Sequence, residues 1–452
     1  MTARVVVVGG GLAGIAAAVR LADTGAVVTL VEARARLGGA TYSFPREGLS
    51  YDTGQHVFLR CYDDYRSLLR RLGTETATTI QPRLTMPVLT PGGHRHALRR
   101  SGLPAPLHLA GTVLGYGALS RRERLHAVRA ATALRGVDPD DPATDAQSFG
   151  SWLERHGQSR AAIDRLWGLI AIAALNVHPH DASLALAARV FRTGLLERND
   201  AGDLGIPQAP LGTLHGDAAL RVLGDLGADV RLRERVTDIR PGGSGYEVAT
   251  GDGELSADAV VLAVPHGRAA QLVPPEAADT SAWHQLGASP IVNVHVRYAR
   301  RVTDLEFFAA LDSPLQWVFD RTATSGLHHG QYLAVSLSAA DAYLSRPARD
   351  VAAEVVDALA TLLPDATPDT VRRVYVTREP RATFRPAPGT AALRPSPRTR
   401  LPGLALAGAW TDTGLPDTME GAVRSGYRAA DVVACSPHAT DGRVTKSTEV
   451  PI

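Results

Sequence analysis

Three glycines near the start of the chain are spaced for chemistry. Gly9-x-Gly11-x-x-Gly14 follows the apolar run RVVVV at 4–8 and opens LAGIAAAVRLADTG, a helix-like stretch stopped at Gly25. The first glycine permits a tight turn, the second lets backbone approach a pyrophosphate, and the third lets helix and strand pack closely. The helix N-terminus then faces the negative phosphates. Leu12 and Ala13 lie within the same turn. Glu32 closes the next strand, AVVTLVE, 18 residues after Gly14, with Ala33 following it. An acid there accepts hydrogen bonds from ribose hydroxyls. It favours an unphosphorylated ribose, hence FAD or NAD over NADP.

The residues after Glu32 separate those two. Arg36-Leu37-Gly38-Gly39-Ala40 places a second glycine pair where backbone can again approach a ligand. A simple NAD fold has no need of that, whereas an extended FAD does. The segment resembles the amine-oxidase and phytoene-desaturase superfamily of FAD enzymes, which reads E-x-x-x-R-x-G-G-R there. Arg36 matches the first arginine and Ala40 replaces the last. ERVTDI (234–239) with ADAVVLAVP (257–265) resembles the superfamily's central region, where the backbone of Val236 would contact adenine. LALAGAWTDTGLPDTMEGAVRSGYRAA (404–430) resembles its C-terminal flavin motif. In that motif a strand ends at Gly408, and a helix begins near Thr418 with Met419 and Glu420 at its start. Its N–H groups suit the flavin N1–C2=O edge. Ala409 stands where the superfamily usually has an acid for the ribitol. The implied cofactor is FAD. Its pyrophosphate–ribitol stretch would be held by backbone amides and Arg36 more than by charged partners.

The middle of the chain narrows the resemblance. YDTGQHVFLRCYDDYRSLLRRLG (51–73), DAQSFGSWLERHGQS (145–159), LWGLIAIAALNVHPHDASLALAARVFRTGLL (166–196) and GAWTDTGLPDTMEGAVRSG (408–426) resemble the hydroxysqualene dehydroxylases. That implies reductive loss of a hydroxyl from hydroxysqualene to give squalene, in squalene and hopanoid synthesis. Reduced flavin N5 would deliver hydride to the allylic carbon. Such chemistry needs an acid for the leaving hydroxyl and a long, dry, apolar cavity. By analogy, the loop Asp52-Thr53-Gly54-Gln55-His56 passes near the flavin, which makes Gly54, Gln55 and His56 cofactor contacts. His56 is the first candidate acid, with Asp52 to orient it, and Glu420 is the second. The alternative is that His56 and Asp52 only hold the loop's shape. Two other functions stay open: a carotenoid-type desaturase that moves hydride from substrate to FAD, and a non-catalytic scaffold for terpenoid enzymes.

The elements that position these residues read as an α/β fold. A Rossmann-like FAD-binding domain takes 1–65, 206–275 and 396–435. A discontinuous, partly helical α+β substrate domain takes 66–205 and 276–395, and 436–452 reads as a disordered tail. At 452 residues, 45% apolar and 21% charged, the chain is globular with room for both. Gly242, Gly243 and Gly245 fall in a hairpin rather than between strand and helix, so a second dinucleotide site is not evident and a separate electron donor is implied. His178 and His180 lack the spacing of a metal site, and no metal is expected. Asp181 is expected near the N-cap of the following helix. Trp167, Trp283 and Trp317 read as core, although an aromatic wall would suit a polyene cation. A net charge of +2 gives no case for nucleic acid. Cys61 and Cys435 are the only cysteines, and no signal peptide is visible, so a cytoplasmic location is expected. The almost uncharged stretch 101–120, followed by basic RRERLHAVRAA, reads either as a peripheral membrane contact on the inner face or as a helix roofing the cavity.

Overall fold

The computed structural model describes residues 3–243 and 245–435. Its first layer grows from β1 (Arg4–Val8), four of whose five residues are buried, through α1 (Leu12–Asp23) to β2 (Val27–Glu32). Four valines in a row make β1 apolar on both faces, as a central parallel strand requires. It sits in the middle of a five-stranded parallel sheet. The order is Asp229–Leu232, β2, β1, Ala259–Leu262, Leu404–Leu406. The C-terminal helix Met419–Ala434 packs on α1 at backbone distance: a Cβ on Gly426 would lie 2.1 Å from the Ala13 carbonyl oxygen.

The second layer is a seven-stranded sheet. Its order is Val371–Thr383, Ser289–Tyr298, Gln331–Ser338, Trp317–Asp320, Phe307–Ala310, Thr85–Thr90, His94–Arg99. The β-branched runs IVNVHVRY (291–298) and YLAVSLS (332–338) form two of its strands. The sequence gives little sign of Val371–Thr383, because VRRVYVTREPRAT alternates around charges. It is an edge strand with no fully buried residue, so no apolar face was required of it. The short strand Leu204–Pro207 crosses the expected boundary at 206 and pairs with Phe58–Leu59 and Thr78–Ile80.

α2 (Asp63–Leu72) packs on the C-terminal helix of the first layer, whereas the helix Ala348–Leu362 packs on Ser289–Tyr298 and Val371–Thr383 of the second sheet. α3 (Leu107–Gly115) lies on the strand His94–Arg99, α4 (Arg121–Leu134) packs on α3, and short helical segments continue to Leu196. One expectation is corrected here. Asp181 does not cap the helix Leu184–Phe191 but ends a separate turn, Pro179–Asp181. Ser183 is the cap, its Oγ accepting the Leu186 N–H at 3.3 Å and donating to Asp145 at 2.6 Å. Gly242 and Gly245 pair across a hairpin, as read from sequence. The stretch 436–452 lies outside the described residues. Among those described, no helix is long and apolar enough to cross a membrane.

Candidate functional site

The glycine turn and the segment after Glu32 meet at backbone distance. A Cβ on Gly14 would lie 1.8 Å from the Gly9 carbonyl oxygen, so only glycine lets α1 start against β1. Gly39 has φ +58°, and a Cβ there would lie 2.8 Å from the Gly11 Cα. These two bare backbones form a cradle that any side chain would fill. Gly11 is the N-cap of α1 and gives no side-chain cap, which leaves the first-turn amides to a ligand. The Glu32 carboxylate lies at the same turn and accepts the Gly10 and Arg34 N–H groups, both at 2.7 Å. Arg36 lies 3.2 Å over the Tyr42 ring and donates to the Gly39 carbonyl at 3.1 Å. It braces the glycine pair, and burial lowers its pKa from the usual guanidinium value. Ala33 is exposed beside Glu32.

A cavity of about 550 Å³ runs from this region into the second layer. Leu12, Gly38, Ala40, Gly54, Thr418 and Met419 line it from the expected cofactor segments. Leu169, Ile170, Ala173, Leu195, Trp317 and Phe319 supply an apolar lining, which shares the cavity with polar groups that include Arg189, Asn293, Glu379 and Arg381. Trp317 and Phe319 are stacked with centroids 6.3 Å apart, so one of the three tryptophans faces the cavity. Trp167 is core, donating to Gln158 at 2.9 Å, and Trp283 packs on Trp410. Three residues in the cavity wall carry a buried polar atom with no partner among the described residues: Gln55 Nε2, Arg189 Nε and Asn293 Oδ1. The bare-backbone cradle, the open helix start and these unpaired atoms fit an extended dinucleotide with a polar ring system.

Gly408, Ala409 and Val236 lie outside the cavity wall. The Gly408 N–H donates to Ser425 at 2.8 Å. Ala409 is buried, and its carbonyl accepts from Arg394 at 2.9 Å. The Val236 carbonyl accepts from Arg268 at 2.8 Å. Thr418 caps the C-terminal helix, accepting the Gly421 N–H at 3.1 Å, with Met419 and Glu420 in its first turn.

The expected acid pair is not formed. Asp52 does not orient His56. Its carboxylate holds the Ser43 hydroxyl at 2.6 Å, the Leu211 N–H at 3.0 Å and Arg321 Nη2 at 2.8 Å. A carboxylate this deep takes the strongest available cation, and that is Arg321. The His56 imidazole instead donates from Nδ1 to the Gly54 carbonyl at 3.2 Å. Burial holds it below the usual histidine range, so it lines the cavity as a neutral ring. Glu420 also lines the cavity, but both oxygens are engaged. They accept the Asp64 and Tyr65 N–H groups at 3.2 and 2.8 Å and Arg424 at 2.8 Å. Burial pushes this carboxyl up to about 7 against the pull of those donors.

Sequence reasoning passed over a third carboxyl. Asp417 lines the cavity one residue before the Thr418 cap. Its Oδ2 accepts the Phe384 N–H at 3.0 Å, and burial pushes it up to about 6. The signal was present in LPDTMEG, an acid beside the very turn expected to face the flavin. Cys61 lines the cavity too, its thiol pushed up to about 11 by burial and so inert as a nucleophile. Among the described residues, no cluster of three or more His, Cys, Asp or Glu side chains could hold a metal ion.

A family model described as flavin containing amine oxidoreductase matches residues 12–434. A hydroxysqualene dehydroxylase of Rhodopseudomonas palustris is 31% identical over 450 residues, covering 97% of this chain and 100% of that protein. A probable zeta-carotene desaturase of Synechococcus elongatus is 26% identical over 482 residues, covering 94% and 98%. A solved putrescine oxidase with putrescine bound shares the fold, with TM-score 0.71, 22% identity and coverage of 96% and 99%. Cradle, cavity and likeness agree: the chain belongs to the flavin containing amine oxidoreductases and is an oxidoreductase with FAD as its cofactor.

Proposed function

We propose that this protein removes the allylic hydroxyl of hydroxysqualene reductively and yields squalene. The observation that carries this reading is a single cavity lined both by FAD-binding segments with a raised carboxyl and by aliphatic and aromatic side chains. The similarity to the Rhodopseudomonas palustris dehydroxylase supports it over the full length. FAD, bound in its reduced form, supplies the hydride that replaces the hydroxyl.

The chain's own residues handle the proton and the water. Asp417 gives its proton to the leaving hydroxyl, the C–O bond breaks, and water departs. A carboxyl titrating near 6 is protonated often enough to act and acidic enough to let go. His56 is neutral and donates to backbone, and Glu420 is tied to three donors, so neither matches Asp417 in freedom. Trp317 and Phe319 offer ring faces to the positive charge on the allylic carbon. The apolar lining keeps water from that carbon. FAD held here would need a separate electron donor to be reduced again.

Anaerobic incubation with photoreduced FAD and hydroxysqualene tests this. Squalene should appear in step with flavin oxidation. Failure of that reaction, together with desaturation of a carotenoid precursor by the oxidised protein, would give the function to the second reading, which the Synechococcus elongatus relative favours. A purified protein that shows no visible flavin absorbance after FAD is added would point to the scaffold.

A further inference from the structure

α3 is a helix turned outward. Its nine residues, LHLAGTVLG, carry no acidic or basic side chain except His108, and His108 is the one it buries. Leu103, Leu107, Leu114 and Leu125 are 53%, 58%, 46% and 54% exposed. They are four of the five large apolar side chains left exposed among the described residues: Leu107 and Leu114 on α3, Leu125 on α4, which packs against α3, and Leu103 in the loop that leads into α3. Scattered exposed leucines need no explanation, but a cluster does.

The charge around the cluster is mostly positive, and Glu123 in the first turn of α4 is engaged by the Ser120 N–H at 2.8 Å and the Ser159 hydroxyl at 2.5 Å. No Asp or Glu occurs between Glu75 and Glu123. Arg95 and Arg99 stand exposed on one face of the strand His94–Arg99, which lies beside α3 through the Arg99 N–H to Thr112 Oγ1 bond of 2.9 Å. Arg121 and Arg122 stand exposed at the start of α4. None of the four has a carboxylate partner among the described residues. An apolar helix with a skirt of unpaired arginines is the complement of an anionic lipid surface. A second copy docking symmetrically would bring the same arginines together and be repelled.

The patch also adjoins the cavity. The Leu103 carbonyl accepts from Asn199 at 3.3 Å, and Leu195 and Gly202 of that loop line the cavity. Met86, paired with Leu98 of the arginine strand, lines it as well.

We propose that the α3–α4 corner docks on an anionic phospholipid bilayer. The four leucines lie in the acyl boundary, and the four arginines lie on headgroup phosphates. Docking rests on the exposed surface alone. Its use, to pass a hydrocarbon from lipid into the cavity, rests on the proposed function.

Vesicle flotation of the full FAD-loaded chain tests the docking. Wild type should float with phosphatidylglycerol-containing vesicles and at least tenfold less with pure phosphatidylcholine. Leu107→Asp with Leu114→Asp should abolish flotation while flavin absorbance and melting temperature hold. Arg95→Gln, Arg99→Gln, Arg121→Gln and Arg122→Gln together should weaken it tenfold or more without unfolding. The proposal is overturned if wild type stays in the soluble fraction with anionic vesicles, or if the double aspartate variant floats like wild type. It is also overturned if the leucines instead support a dimer that binds no vesicle. Turnover of detergent-dispersed hydroxysqualene by the same variants reads the functional proposal separately, and it should be unchanged.

Discussion

Asp52 and Arg321 are 269 residues apart in sequence and 2.8 Å apart in space, each 6% exposed. Such a pair ties the His56 loop to the second sheet. Removing one partner strands a buried charge, so Arg321→Met should cost about 3–5 kcal/mol in thermal or denaturant melts. His56→Ala, which breaks only a bond to Gly54, should leave stability nearly unchanged. Asp417 makes a different kind of claim. Asp417→Asn should retain FAD while lowering turnover by roughly a hundredfold or more, the scale of a lost general acid. In wild type the protonated carboxyl is the active form, so turnover should fall as pH rises through about 6. A variant with normal turnover, or a flat profile across that range, removes Asp417 from the reaction. Ala40 lines the cavity beside the Gly38–Gly39 pair. If backbone and Arg36 already suffice for the cofactor, Ala40→Arg should change FAD affinity by less than tenfold, as measured by flavin fluorescence on titration.

At the scale of elements, Glu420 joins two helices. It stands in the first turn of the C-terminal helix and accepts N–H groups from the first turn of α2, where a partial positive charge favours it. Its folded pKa of about 7 lies above the ordinary 4.5, so the folded state binds the proton more tightly than the unfolded chain. Stability is therefore lost as pH rises from about 4.5 to about 7 and is level beyond. Glu420→Gln carries no such loss. The stability gap between variant and wild type should thus move in the variant's favour by roughly 3 kcal/mol over that window. A constant gap would mean the carboxylate is satisfied by its three donors. Elements with a local signature were legible in the sequence: β1, the glycine turn, α1 and β2 follow from valine runs and glycine spacing within thirty residues. The strand Val371–Thr383 and the Asp52–Arg321 pair were not legible. An edge strand needs no apolar alternation, and nothing local says which of 47 arginines a buried aspartate will find. The Ser183 cap, two residues from the expected Asp181, shows the same limit at a helix end.

For the whole molecule, the cavity is the product of assembly. Its wall draws Leu12 and Gly38 from the first layer, Met86, Trp317 and Phe319 from the second, Ala173 from the helices, and Asp417 from the C-terminal motif. No stretch of sequence contains it, which is why a raised carboxyl and an aromatic wall could be expected in kind but not located. The space exists partly because position 173 is small. Ala173 is exposed on the helix Gly168–Leu175 and faces the cavity, so a larger side chain there displaces substrate before it disturbs the core. Ala173→Trp should therefore raise KM for a thirty-carbon substrate tenfold or more. Stability should stay within about 0.5 kcal/mol of wild type, as for substitutions away from packed sites. The visible flavin spectrum should be unchanged, because Ala173 belongs to the helix Gly168–Leu175 and to none of the FAD-binding segments. If KM does not move while the variant remains folded and loaded, the apolar lining is not where the hydrocarbon lies.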